Sequence, residues 1–412
     1  MVLKKLSASL LLLVLILTGC GGGGSTPEPT PVKPQPVSQF ETPASIPSDK
    51  FRLARIDYRY DTPADNKDIN GYHTTSFESV KPTVDKIKQI GFTGVIVQLQ
   101  TPVNKDTGLI GLHDQSPNDK TIPKDTWKLI DYAKSQGLSV WISLQIVDSV
   151  TDCLLIPDFK KYTEQQMFNN IITYQKNIAT IAQQHSVDGL FISEGNYNLE
   201  SYDHLFYWQQ LISELRKVYL GKLSYTTHIF EPTSIWNHVD YASIFVNSTL
   251  STKPIYDLKS IINLYFNDAQ GVNQVKRIKD FYMVYGKKFI LVASPILADT
   301  GVGNTPQSFW DNVINNVWVA ISLPQIDKEM QLLKIRAFLE VVNIHLLDIT
   351  VGVGFTEFDP WLQHVNFTKP KADNNIGVYK YYCCGWDLTN NVDAQKTINS
   401  YFSKPWGYYT VQ

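Results

Sequence analysis

The stretch VDGLFISEGN, Val187 to Asn196, runs through apolar residues and stops on a carboxylate, Glu194. Strand interiors seldom hold a glutamate, because an ionised carboxylate taken out of water costs several kcal/mol unless it is paired or hydrogen-bonded. Glu194 must therefore be satisfied by neighbouring donors, or used. Used as an acid, it has to keep its proton near neutral pH, which burial or a second negative group arranges. Four further carboxylates stand in comparable places: Glu357 and Asp359 in GVGFTEFDPW, Asp299 in ILADTGVG, and Glu231 in THIFEP. Glu357 and Asp359 flank Phe358 and share a face by alternation; Glu357 then either reaches a pocket or caps a turn. Asp299 lies among glycines, where an Asx-turn is the ordinary reading. His113 and Asp148 have no metal-ligand spacing, and neither HExxH nor a paired CxxC is present, so no metal and no cofactor are expected.

The elements that must position these groups alternate in type. LARIDYRY (Leu53 to Tyr60) reads as a strand and SFESVKPTVDKIKQIG as an amphipathic helix ending at Gly91. GVIVQLQ (Gly94 to Gln100) precedes the helix PKDTWKLIDYAKSQG, and LSVWISLQIVD (Leu138 to Asp148) precedes a helix from about Glu164 to His185. VDGLFIS is the fourth strand and SYDHLFYWQQLISELRKVYL its helix. Strands five and six are KLSYTTHI (Lys222 to Ile229) and YASIFVN (Tyr241 to Asn247); VNQVKRIKDFYMVYG leads to the seventh, KKFILVASPI (Lys287 to Ile296). A helical region from about Ser308 to Leu347 leads to the eighth, Asp348 to Asp359, and VDAQKTINSYF closes the chain.

Eight strand–helix repeats imply an α/β fold with a parallel sheet, and favour a closed (β/α)8 TIM barrel in a single domain over an open doubly wound sheet. The open sheet predicts a glycine-rich phosphate turn after the first strand, where this chain has YDTPADN. Chemistry in such barrels sits at the C-terminal ends of the strands. The polar residues predicted there are Arg59, Gln100, Asp148, Glu194, Asn196, His228, Glu231, Asn247, Ser294, Asp299, Glu357 and Asp359. His228, Asn196 and Asn247 suit hydroxyl groups of a ligand, or interior hydrogen bonding. Arg55, Asp57 and Arg59 share one face of the first strand, as an interior ion network or a substrate clamp. Trp236, Trp361 and Trp386, with Tyr58, Tyr60 and Tyr197, are either packing or platforms on which a pyranose ring stacks.

Of the 412 residues, 43% are hydrophobic and 18% charged, with a formal net charge of −2, so a large core is available and a nucleic-acid partner is not expected. The first residues read as a processing signal: Lys4 and Lys5, an apolar run from Leu10 to Leu17 too short to span a bilayer, then small residues. LTGC, Leu17 to Cys20, resembles the lipobox of bacterial lipoproteins, which implies a signal peptide over 1–19, lipid on Cys20, and a membrane-anchored protein of the cell envelope. Gly21 after the cysteine implies the outer membrane in a Gram-negative host. Residues 20–50 are rich in Gly and Pro and form a tether, and 51–412 the folded domain. Cys153, Cys383 and Cys384 remain, and the sequence does not select a disulfide among them.

The run from Tyr174 to Asn247 resembles the (β/α)8 glycoside hydrolases of clan A, and most closely the β-mannanase-like glycoside hydrolase family 113. The matching pieces are NIATIAQQHSVDGLFISEGN, WQQLISELRKVYLGKLSYTTH and SIWNHVDYASIFVN. The resemblance implies a polysaccharide or glycoconjugate as ligand and assigns the general acid/base to Glu194, with Ser193 where the family has Asn. It also implies a nucleophilic Glu at the end of strand seven. Here that strand reads FILVASPILADTGVGNTP, with Ala293 and Ser294 in the place of the Glu. Retaining hydrolysis needs two carboxyl groups about 5–5.5 Å apart and inverting hydrolysis about 6.5–9.5 Å. Glu357 is the first candidate for the second group, Asp299 the next and Glu231 the third. A barrel that binds sugar without cleaving it is the alternative.

Overall fold

The computed structural model describes residues 50–58, 77–103, 107–110, 124–148, 161–194, 199, 204–229, 232–246, 250–251, 255–293, 312–314, 317–319, 328–356, 358, 388 and 391–403. Its frame is eight parallel strands: β1 (Phe51–Tyr58), β2 (Gly94–Val103), β3 (Ser139–Asp148), β4 (Gly189–Glu194), β5 (Lys222–His228), β6 (Tyr241–Phe245), β7 (Phe289–Ala293) and β10 (Thr350–Phe355). They close in the order β1-β10-β7-β6-β5-β4-β3-β2. The helices between them are α1 (Phe77–Ile90), α2 (Lys124–Ser135), α3 (Glu164–Gln184), α4 (Leu205–Arg216), α5 (Leu258–Leu264), α6 (Gln274–Tyr285), α7 (Lys328–Val341) and α8 (Val392–Phe402). No helix among the described residues is long and apolar enough to cross a membrane.

Two expectations need correction. The region expected to be helical from Ser308 carries a short antiparallel ladder instead, β8 (Asn312–Ile314) against β9 (Val317–Val319), before α7 begins. The sequence reason is a β-branched and aromatic run interrupted by Asn315-Asn316, a hairpin pattern. The segment between β6 and α6, read without a helix, forms α5, where Asp257 caps the first turn by accepting from the Ser260 N–H at 2.8 Å.

Strand alternation divides the core. Residues such as Ala54, Val97, Ile142, Leu190, Tyr225, Ile244 and Leu291 face the helices and fill the outer layer. Inside the barrel, Leu53, Ile96, Trp141, Phe191, Phe245, Ile290, Val292 and Val351 form a second cluster, with Phe51 and Tyr241 against it. Trp141 is its largest member. Its ring centroid lies 5.2 Å from Phe51 and 5.1 Å from Phe191, and its Nε1–H donates to the Ser139 hydroxyl at 3.2 Å. Gly189 makes room for it: a Cβ there would come within 2.2 Å of the indole.

The N-terminal ends of the strands carry a device used twice. Asp188, just before β4, accepts from the Val140 N–H at 2.6 Å and pairs with Lys134 of α2 at 3.1 Å. Asp240, just before β6, accepts from the Leu223 N–H at 2.7 Å and pairs with Arg216 of α4. Each aspartate thus ties the start of the preceding strand to the end of the helix that leads into that strand. Burial works to raise the Asp240 pKa, but the Leu223 N–H and the Arg216 guanidinium outweigh it and leave the carboxyl below its usual value. This end of the barrel is built for stability, which leaves the opposite mouth for chemistry.

Candidate functional site

Toward the C-terminal mouth the lumen turns from aromatic to polar. The cause is legible strand by strand: where Val97, Leu99, Ile142, Leu144, Tyr225 and Ile244 face the helices, the residues between them face inward. These are Gln98, Ser143, Thr226 and Ser243, all buried, with the half-buried Gln145 above Ser143. The register sets Gln98 beside Ser143 and Thr226 beside Ser243. Gln98 donates through Nε2 to the Gln145 Oε1, and the Ser243 hydroxyl donates to the Ile290 carbonyl at 3.1 Å. The sequence reading passed over these residues in favour of strand-end ones, although polar residues at every second position of VIVQLQ and ISLQ carried the signal.

His228 ends β5 opposite Phe245, and their rings stack with centroids 5.6 Å apart. The Arg55 guanidinium lies 5.7 Å from the same phenyl ring, so Phe245 carries a cation contact as well as the imidazole. Desolvation lowers the His228 pKa. The unfolded chain therefore takes up this proton at a higher pH than the folded one. Stability is complete above the unfolded value of about 6.5 and falls as pH drops below it toward the folded pKa. Comparing thermal midpoints of wild type and His228→Gln between about pH 5 and 8 should show a weaker acid-side decline in the variant. Equal declines would contradict this placement of the imidazole.

The end of β4 departs from simple alternation. Phe191 pairs with Ser224, but Glu194 pairs with Thr226, so β4 spends three residues where β5 spends two. This is a bulge, and its effect is on facing. Counted by twos from Phe191, position 193 would share the lumen face and 194 the helix face. The extra residue instead brings Glu194 into register with Thr226, one of the inward positions of β5. The backbone thus places position 194 at the last rung of β4, in register with the inward Thr226.

On the opposite side of the barrel, β7 ends at Ala293, and its lumen residues Ile290 and Val292 are apolar. The Thr356 N–H donates to the Ala293 carbonyl at 3.0 Å and the Phe358 N–H to the Arg55 carbonyl at 3.0 Å, fixing the chain on both sides of position 357 against β7 and β1. Glu357 itself lies outside the described residues, as do Cys20, Arg59, Tyr60, Asn196, Tyr197, Glu231, Asn247, Ser294, Asp299, Asp359, Trp361 and Trp386. Tyr58 closes β1 in register with Leu99, a residue of the outer layer, whereas Asp57 is in register with Gln98. Trp236 is packing: it is fully buried, its Nε1–H donates to the Tyr225 carbonyl at 3.0 Å, and its ring meets Tyr285 and Phe289. Among the described residues no group of His, Cys, Asp and Glu could hold a metal ion.

The sequence matches no protein-family model and no curated protein. Solved structures do match. A complex of a GH113 β-1,4-mannanase superposes with a TM-score of 0.59 at 18% identity, over 86% of this chain and 99% of that one. A second structure of a GH113 β-1,4-mannanase gives 0.58 at 18% identity, over the same shares of both chains. A GH113 β-mannanase from Alicyclobacillus acidocaldarius, in complex with ManMIm, gives 0.56 at 12% identity over 86% and 97%. At these identities the likeness is one of fold, and it is the fold that the Tyr174–Asn247 resemblance implied.

Proposed function

We propose that this protein binds, and hydrolyses, a polysaccharide or glycoconjugate at the C-terminal mouth of its barrel, with Glu194 as general acid/base. The observation that carries this reading is the β4 bulge, which takes the last residue of the strand from the helix face to the lumen register beside Thr226. A carboxyl group presented from that register position is what the acid/base role requires. Family 113 structures that share the fold support a β-linked mannan as the first substrate to try. Glu357 is the preferred second carboxylate, as base to a water or as nucleophile. A specific observation favours a second reading, binding without cleavage: β7 ends at Ala293, and Ala293 and Ser294 stand where the family resemblance implies a nucleophilic Glu.

A panel of polysaccharides that includes β-1,4-mannan, assayed with wild type and Glu194→Gln, separates the two. Reducing ends released by wild type and lost in the variant support hydrolysis. Equal release by both, or binding with no release by either, removes the enzymatic reading.

The proposal includes a lipid anchor on Cys20 at the cell envelope, supported by the order of charged, apolar and small residues before that cysteine. Cys20→Ser should abolish incorporation of labelled palmitate and move the protein from the membrane to the soluble fraction. Unchanged labelling would refute the anchor.

A further inference from the structure

The bulge at the end of β4 interrupts its ladder with β5 between Phe191 and Glu194, and the Ile192 carbonyl lies within the interruption. That carbonyl accepts a hydrogen bond from the Gln175 Nε2–H at 2.7 Å, in the layer between helices and sheet. Gln175 belongs to α3 and is 1% exposed. Along the helix its buried neighbours are Phe168, Ile171, Ile172, Ile178 and Ala179, so the apolar stripe of α3 is broken at this position by an amide. The Gln175 Oε1 has no hydrogen-bond partner among the described residues, which makes the amide a costly choice for packing alone. Turning the amide over does not help, because Oε1 would then face a carbonyl oxygen, acceptor against acceptor. The one contact that benefits from the amide is the one on Ile192.

We propose that Gln175 is a positioning residue: it supplies from the helix the hydrogen bond that the bulge withdraws from the sheet, and so fixes the strand end that presents Glu194. This rests on the reading of Glu194 as the acid/base. Misplacement of such a group by about an ångström costs catalysis heavily even when binding survives. An apolar residue at 175 would fill the space yet take the helix-borne donor away from the Ile192 carbonyl.

The test uses Gln175→Leu and Gln175→Glu in the full chain, with hydrogen exchange of the peptide covering 189–194 measured beside the cleavage of β-1,4-mannan. Gln175→Leu should fold with a thermal midpoint within a few degrees of wild type, exchange about tenfold faster at the end of β4, and lose about tenfold in kcat with KM unchanged. Gln175→Glu can donate to Ile192 only when its carboxyl is protonated, so its exchange and its activity relative to wild type should recover as pH falls toward about 5. Exchange in Gln175→Leu equal to wild type overturns the proposal, and so does a Gln175→Glu variant that follows Gln175→Leu down to that pH. If wild type cleaves no polysaccharide, the proposed reaction falls, and the exchange comparison alone still decides whether Gln175 holds the bulge.

Discussion

Glu194→Gln is expected to lower kcat on an unactivated polysaccharide by about 10²–10⁴-fold, with KM little changed. The size follows from the chemistry. A glycosidic oxygen leaves poorly unless it is protonated as the bond breaks, and an amide of the same shape has no such proton to give. Two signatures distinguish this from general damage. The loss should shrink on an aryl glycoside, whose leaving group departs without protonation, and the limb of the pH profile that reports the acid should disappear. The fold should survive, because Glu194 sits at the last rung of β4 and not in its interior. If Glu357 is the partner, Glu357→Gln should lose comparably on both kinds of substrate. A Glu194→Gln enzyme equal to wild type would remove the residue from the mechanism.

Trp141→Ala is expected to destabilise the protein by about 3–5 kcal/mol, the range for deleting a large ring from a packed core. Trp141 is fully buried and spans the barrel floor between Phe51, Phe191 and Tyr241. Its loss leaves a cavity directly beneath Phe191, the residue at which the β4 bulge begins. Activity per folded molecule should fall too. Gly189→Ala should itself destabilise by about 1–3 kcal/mol, because its Cβ meets the indole. The two changes are coupled: with the ring gone the methyl group enters free space, so the double variant should be more stable than the sum of the single changes predicts. Denaturant titrations of the four proteins measure this. Strict additivity would contradict the packing described.

Much of the frame is legible in the chain because strand and helix periods differ. VIVQLQ and VWISLQIVD give their facing directly, and the final helix falls on the residues expected, Val392–Phe402. The glutamate at the end of β4 is also legible, as a carboxylate where burial is costly. What is not legible is how position 194 comes into register with the inward Thr226 of β5. Alternation within β4 points the other way, and the bulge exists only in the pairing with β5. The same limit hides the Gln175 hydrogen bond, which joins α3 to a strand 17 residues further along. The β8–β9 ladder was obscured by its surroundings, since a three-residue strand inside a long apolar region offers too few alternations to compete with a helical reading. Trp236 shows where type alone stops: aromatic character leaves platform and packing both open, and its neighbours Phe281, Tyr285 and Phe289 decide for packing, the more frequent of the two.

The proposal turns on geometry: an unpaired step in one strand brings position 194 onto the lumen register, from which its carboxyl would reach a bound sugar. A crystal structure of Glu194→Gln with a β-1,4-mannooligosaccharide tests it directly. The account predicts sugar in the C-terminal mouth, with the side chain at position 194 within about 3 Å of a glycosidic oxygen. Sugar bound elsewhere, a mouth that takes none, or a side chain at 194 packed among the outer helices would contradict it.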